Sequence, residues 1–303
     1  MILVSFLLLT CAALGIAGGQ SAPDTSDSRL AALHGDLDAQ LRVVAAHHDL
    51  QDLKAAAEAG DATSQFDFAM YYAALSNTAT DEHSQQVNSV TSVAWLNKAA
   101  EQGNVFGELA LGYAYRDGWG AEQKSLPESI KWFTAASDAG NTEAPFELGV
   151  IYHDTEDYTQ AVQWWAKAAE LKNARGQEGI AVSYHQGKGV PQDDALALYW
   201  YRKAAEQGDR EAEMGLAASY HNGEAVEPNL EESVKWMRLS ADQGYDKAQL
   251  FLGHAYISGE GIDKDIGEGE SWLRKAAVQG NETARADLAS FYQDLPSLLD
   301  KHP

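Results

Sequence analysis

Trp200-Tyr201-Arg202-Lys203-Ala204-Ala205-Glu206-Gln207-Gly208 is one copy of a tract that recurs along this 303-residue chain. Trp95, Trp132, Trp164, Trp200, Trp236 and Trp272 hold the same place in successive copies, at intervals of 37, 32, 36, 36 and 36 residues. Self-similarity at such a period is the signature of stacked repeat units. Within the tract, Trp200, Ala204 and Gly208 lie at i, i+4 and i+8, a narrow stripe along one helix face. The same W-x3-[AS]-x3-G reads from Trp95 to Gly103, Trp132 to Gly140, Trp236 to Gly244 and Trp272 to Gly280. The closing glycine suits the left-handed position after a helix end. The Asn104, Asn141, Asp209 or Asn281 that follows suits the cap of a next helix, with Tyr245 in that place once.

A second stripe follows each glycine. Ala212, Leu216, Ala217 and Tyr220 match Ala248, Leu252, Gly253 and Tyr256; Ala144, Leu148, Gly149 and Tyr152; and Gly107, Leu111, Gly112 and Tyr115. This A-x3-L-[GA]-x2-Y pattern is again one helix face, and its small residue lets two helices approach closely. A glycine turn comes next, as Gly118-Trp119-Gly120, Gly187-Lys188-Gly189-Val190-Pro191 or Gly259-Glu260-Gly261-Ile262. Two helices and two short turns per repeat predict an array of αα-hairpins.

The unit resembles a Sel1-like repeat, a relative of the tetratricopeptide repeat with a longer turn between its helices. Gly208-Asp209-x2-Ala212-x3-Leu216-Ala217-x2-Tyr220, the turn after it, and Trp236 through Gly244 carry the resemblance, which extends over residues 60–293. It implies an all-α fold, a right-handed αα-hairpin solenoid of about six to seven Sel1-like repeats in one continuous domain, of the exported bacterial type. It also implies a scaffold or adaptor for protein–protein interaction rather than an enzyme. Relatives of this repeat line a concave face with the first helix of each pair. The positions beside the core stripe on that helix are Phe106, Glu108, Glu143, Glu147, Gln177, Glu178, Glu211, Glu213, Gln249 and His254. They are the expected partner-binding residues.

The departures from the pattern make further expectations. The unit with Tyr152 and Trp164 is four residues shorter, with Asp154-Thr155-Glu156-Asp157 in place of the glycine turn, and Lys172 stands where a helix-ending glycine belongs. Its hairpin is predicted to be tighter, closer to a tetratricopeptide unit. From Gly60 to Gly103 is 43 residues, so about seven are extra, and the polar stretch from Ser76 to Ser92 reads as a surface loop.

Residues 1–19, from Met1-Ile2-Leu3-Val4 through Leu14-Gly15-Ile16-Ala17-Gly18-Gly19, read as an export signal: an apolar run too short to span a bilayer and ending in small residues. No Lys or Arg precedes the apolar run. Leu8-Leu9-Thr10-Cys11 loosely resembles a lipoprotein processing box, which leaves a lipid anchor on Cys11 as an alternative. Cys11 is the one cysteine, so no disulfide is expected. The reading places the protein in the periplasm or cell envelope. Residues 24–59 lack the tryptophan signature, but Leu30, Leu33, Leu37, Leu41 and Val44 keep helical spacing and predict a helical N-terminal cap. At the other end a half-repeat with Ala284, Leu288, Ala289 and Tyr292 precedes Pro296, which should cut the unit short and leave residues 294–303 as a tail.

The formal net charge is −23. A nucleic-acid binder needs a basic stripe, and none is present. The acidity favours a protein partner with a basic surface or segment, and it also keeps a large exposed surface soluble. No nucleophile elbow, phosphate loop, zinc motif or dinucleotide fingerprint is present, so neither cofactor nor metal is expected. His153, His185 and His221 each follow a repeat tyrosine. Neighbouring helices pack roughly 8–10 Å apart, too far for such histidines to share a zinc easily, so they read as exposed residues just past the helix stripe. His47-His48 reads as equally bland. Two sharper alternatives remain: a periplasmic immunity protein that neutralises a secreted phospholipase-type effector, and a protein that binds or hydrolyses cell-wall fragments.

Overall fold

The computed structural model describes residues 25–33, 36–45, 49–120 and 124–299; the export signal, Cys11 and His47-His48 lie outside them. Among the described residues there are sixteen helices and no strand. The first three are α1 (Thr25–Leu33), α2 (Leu37–Ala45) and α3 (Leu50–Glu58). The repeats follow as α4 (Ala62–Thr78) and α5 (Glu82–Glu101), α6 (Val105–Asp117) and α7 (Leu126–Asp138), α8 (Ala144–Asp154) and α9 (Tyr158–Glu170). After them come α10 (Ala174–Gln186) and α11 (Asp194–Ala205), α12 (Arg210–Asn222) and α13 (Leu230–Asp242), α14 (Asp246–Ser258) and α15 (Ile266–Val278), and lastly α16 (Glu282–Leu299). In the first unit α4 packs on α5, α5 on α6 and α6 on α7; in the second, each helix from α9 to α15 packs on the one that follows it. The chain falls into two compact units that divide between Glu147 and Leu148, inside the repeat without a glycine turn. Repeats touch only their neighbours, so nothing in the packing ties distant repeats together.

Capping follows the sequence closely. Asn104 accepts from the Gly107 amide at 2.9 Å, Asn173 from Gly176 at 2.9 Å and Asp209 from Ala212 at 2.8 Å. Tyr245 makes no side-chain cap bond. The glycines before the caps are left-handed, and Lys172 takes the same conformation at φ 61° despite its side chain.

The core holds a correction. The signature tryptophans are half-buried, except the buried Trp272. The large residue buried in every second helix is the one after the tryptophan: Leu96, Phe133, Trp165, Tyr201, Met237 and Leu273. It seats against the small residues of the facing first helix. A Cβ on Gly112 would overlap the Phe133 ring, on Gly215 the Tyr201 ring, and on Gly253 the Leu273 side chain. Serines reinforce this approach: Ser92, Ser129 and Ser233 donate their hydroxyls to the carbonyls of Ala69, Gly112 and Ala217 at 2.7, 2.8 and 2.7 Å. These bonds keep the three hydroxyls from being stranded, which would otherwise cost about 1–3 kcal/mol each.

Two further expectations change. Ser76–Ser92 is not a loop: α4 runs for 17 residues and α5 for 20, so the extra residues lengthen both helices of the first hairpin. Asp81 caps α5 by accepting from the Ser84 amide at 2.8 Å, which lets a polar stretch start a helix. Pro296 does not end the last helix, since α16 continues to Leu299. One proline removes a single backbone bond and kinks a helix without ending it.

Candidate partner-binding face

Six of the ten expected partner-binding residues are buried: Glu108, Glu143, Glu147, Gln177, Glu213 and Gln249 are each 8% exposed or less. They face inward from the first helices. Gln177, Glu213 and Gln249 occupy one equivalent position, shared with Gln65, and each accepts a side-chain amide from the glutamine that closes its own hairpin. Gln102 donates to Gln65 at 2.7 Å, and Gln207 to Gln177, Gln243 to Glu213 and Gln279 to Gln249 at 2.8 Å each. Gln65 and Gln249 in turn donate to the carbonyls of Ala57 and Ala241, near the ends of the preceding second helices. This polar ladder stitches a hairpin to itself and to its predecessor, which is why these residues are not free to meet a partner.

Glu108 and Glu213 stand in ladder positions where a neutral amide fits best. Ala139 replaces the closing glutamine opposite Glu108, whose Oε2 is buried without a hydrogen-bond partner. Burial raises the Glu108 carboxyl. Burial pushes Glu213 up to about 7, against the opposing effect of its bond from Gln243 and with help from nearby Asp209. The folded chain therefore holds this proton up to about pH 7, whereas an unfolded carboxyl releases it near 4.5. Between those values the folded state binds more protons, so this contribution to stability is full below 4.5 and is lost as pH rises through 7. The expected result for Glu213→Gln is an unfolding free energy from urea titration at pH 8 higher than wild type by about 1 kcal/mol, with a correspondingly higher midpoint. The two chains should converge toward pH 4.5, and a midpoint at pH 8 equal to or below wild type would contradict the ladder assignment.

In the first unit, Glu147 takes hydrogen bonds from the Tyr113 hydroxyl at 3.2 Å and from Arg116. Burial, with Glu147 and Glu143 nearby, raises the Tyr113 phenol far out of its ordinary range. The Arg116 guanidinium is held charged by its bond to Asp117 and by Glu147. Phe106 is half-buried against the Phe66 ring, with centroids 5.8 Å apart. The buried carboxylate of this cluster is satisfied within the first unit.

The second unit keeps more of its first-helix face open. Glu178 is half-buried and Glu211 exposed. Burial, then Glu211 and Asp209, push Glu178 up to about 8. A groove of about 440 Å³ runs between α12, α13 and α14, lined by Met214, Ala218, His221, Phe251, His254 and Glu260 among others. Phe251 is 47% exposed there. His254, one of the ten expected residues, is 2.8 Å from Asp287. Phe251 itself was not among the expected residues. It falls where other first helices carry either a small residue (Ala110, Gly179, Gly215) or an acidic one (Asp67, Glu147, Asp287), and a large apolar residue at that position was the readable signal.

The histidines stay apart. His153 packs on the Tyr158 and Trp165 rings, and His185 lies 3.4 Å from Asp194 and 3.8 Å from Glu224. No group of three or more His, Cys, Asp or Glu able to hold a metal ion occurs among the described residues.

Comparison with known proteins places the chain. The Sel1 repeat family model matches residues 69–104, 106–141, 146–173, 174–209, 210–245 and 246–281. Among curated proteins nothing matches the sequence. A solved structure of a protective antigen from uropathogenic Escherichia coli strains, described as displaying an SLR fold, is 32% identical with a TM-score of 0.70; the match covers 80% of this chain and 51% of that one. This chain thus spans about half the length of that relative. A Sel1 repeat protein from Oxalobacter formigenes is 29% identical with a TM-score of 0.62, over 69% of this chain and 84% of that one. An immunity protein from Pseudomonas aeruginosa is 21% identical with a TM-score of 0.49, over 79% and 87%. Six family matches, laid end to end over hairpins that the packing also delimits, establish that the chain belongs to the Sel1 repeat family, whose fold generally serves as a protein–protein interaction scaffold.

Proposed function

We propose that this chain is a non-enzymatic scaffold that binds a protein partner on the first-helix face of its second unit. The observation that carries the reading is the open groove around Phe251: a large apolar side chain left 47% exposed in a cleft of about 440 Å³. Aromatic anchors in such clefts dominate binding energy at protein interfaces. Glu211 lies on α12 and Glu260 lines the groove, and the chain carries a net charge of −23, so the partner offers an apolar residue beside basic ones.

Export to the periplasm or cell envelope belongs to the same proposal and rests on residues 1–19 alone. No helix among the described residues is long and apolar enough to cross a membrane. An immunity protein is the narrower form of this reading, in which the basic partner is a secreted effector. Affinity capture by residues 20–303 from native envelope extract, washed at moderate salt, tests the scaffold. The expected result is one stoichiometric basic protein. Recovery of cell-wall fragments alone, with turnover of labelled fragments above a heat-killed control, would replace the scaffold with a wall-active protein.

A further inference from the structure

The first unit carries a helix seated on its repeat face. Arg29 of α1 grips Asp67 of α4 with two parallel bonds, Nε to Oδ1 at 2.9 Å and Nη2 to Oδ2 at 2.8 Å. Asp67 is 1% exposed, and such a fork is among the stronger polar contacts a protein makes. The equivalent positions of other first helices include Glu147 and Asp287, whose cations Arg116 and His254 come from the preceding repeat. At Asp67 the cation comes instead from α1, outside the repeats. Ala32 of α1 is buried in the same core as Met70, Ala110 and Ala114, α1 reaches α6, and α2 packs along α4. Gln40 of α2 bonds the Ala32 carbonyl at 3.0 Å and takes a bond from Asn77 of α4 at 3.3 Å.

The fit is incomplete. A half-open pocket of about 440 Å³ remains, with Ala32, Leu33 and Gln40 on one side and Met70, Ala110 and Arg116 on the other. The contact face of α1 includes Arg29, Ala32 and Leu33, at i, i+3 and i+4, and the pocket opens beside the small, buried Ala32. A nine-residue helix is too short to persist alone, so α1 is held by these contacts and opens when they break.

We infer that the face of α4 and α6 carrying Asp67, Met70 and Ala110 is a helix-binding surface, that its partner is a helix presenting an arginine with a large apolar residue three positions later, and that α1 is its in-chain occupant. The partner helix reproduces the Arg29–Asp67 fork and fills the pocket that Ala32 leaves. While α1 is seated, the apparent affinity for the partner falls by the fraction of time the face is open. This surface is separate from the Phe251 groove and its test does not depend on that groove.

The test uses the full chain and a labelled peptide of residues 24–45 carrying Ala32→Leu, followed by fluorescence anisotropy and by hydrogen exchange of α1. The expected result is binding to the Arg29→Ala chain at least tenfold tighter than to wild type, faster exchange of α1 with α6 unchanged, and loss of binding when the peptide also carries Arg29→Ala. Arg29→Lys keeps the charge without the fork and should give an intermediate gain. Excess peptide should also speed α1 exchange in the wild-type chain, a readout that needs no variant to fold. Released α1 without peptide binding, or wild-type α1 exchange that excess peptide leaves unchanged, would overturn the inference.

Discussion

Trp165→Ala lowers the stability of the second unit by about 3–5 kcal/mol, the range for deleting a large buried aromatic. Trp165 is 7% exposed and lies between two first helices, where a Cβ on either Gly149 or Gly179 would overlap its ring. Glycines have no side chain with which to fill the space, so the cavity stays open and the cost sits toward the upper end. One term acts the other way: the buried Trp165 Nε1 has no hydrogen-bond partner, and the alanine removes that group. Trp164, the residue in register with the repeat signature, is half-buried and lies under Lys167, whose Nζ is 5.2 Å from the ring centroid. Trp164→Ala is expected to cost less than half as much. Urea denaturation followed by far-UV circular dichroism separates the two, and equal losses would contradict the packing described.

Gly189→Ala destabilises by about 2–5 kcal/mol, from roughly 1–2 for a left-handed alanine and about 1–3 for overpacking. Gly189 has φ 75°, and a Cβ there would land on the backbone carbonyl of Tyr158 at the start of α9. Gly261 meets Leu230 at the start of α13 in the same way. The second glycine of each turn is therefore a contact point with the preceding repeat as well as a bend. Ala225 takes the corresponding place in the next turn at φ 55°, so Ala225→Gly should stabilise where Gly189→Ala destabilises. Denaturation midpoints with opposite shifts would bear out the pair; a neutral Gly189→Ala would not.

The repeat period, hairpins, caps and left-handed glycines were all legible, because each depends on a few identical residues at fixed spacing. The position that buries a large side chain in every second helix was not. Leu96, Phe133, Trp165, Tyr201, Met237 and Leu273 share apolarity but no letter, so the constant tryptophan beside them drew the eye. The expected binding residues fell into the ladder for a geometric reason: one position on a helix turns the side chain by about 100°. Gln177, Glu213 and Gln249 thus point at the glutamine that closes their own hairpin. Gln102, Gln207, Gln243 and Gln279 before the closing glycines were the visible sign of that ladder. The first hairpin misread for another reason: Ser76–Ser92 is polar, yet its helices are set by the Asp81 cap and by packing of Ser89, Ser92 and Val93, not by an apolar stripe.

The most direct test of the binding face is photo-crosslinking in native envelope extract, with the crosslinking amino acid placed at Phe251 in one chain and at Leu239 in another. Both side chains are close to half-exposed, but Leu239 lies on a second helix outside the groove lining. The account predicts a single adduct with a basic protein from position 251 and none from position 239. Adducts from 239 alone, or the same products from both positions, would contradict it.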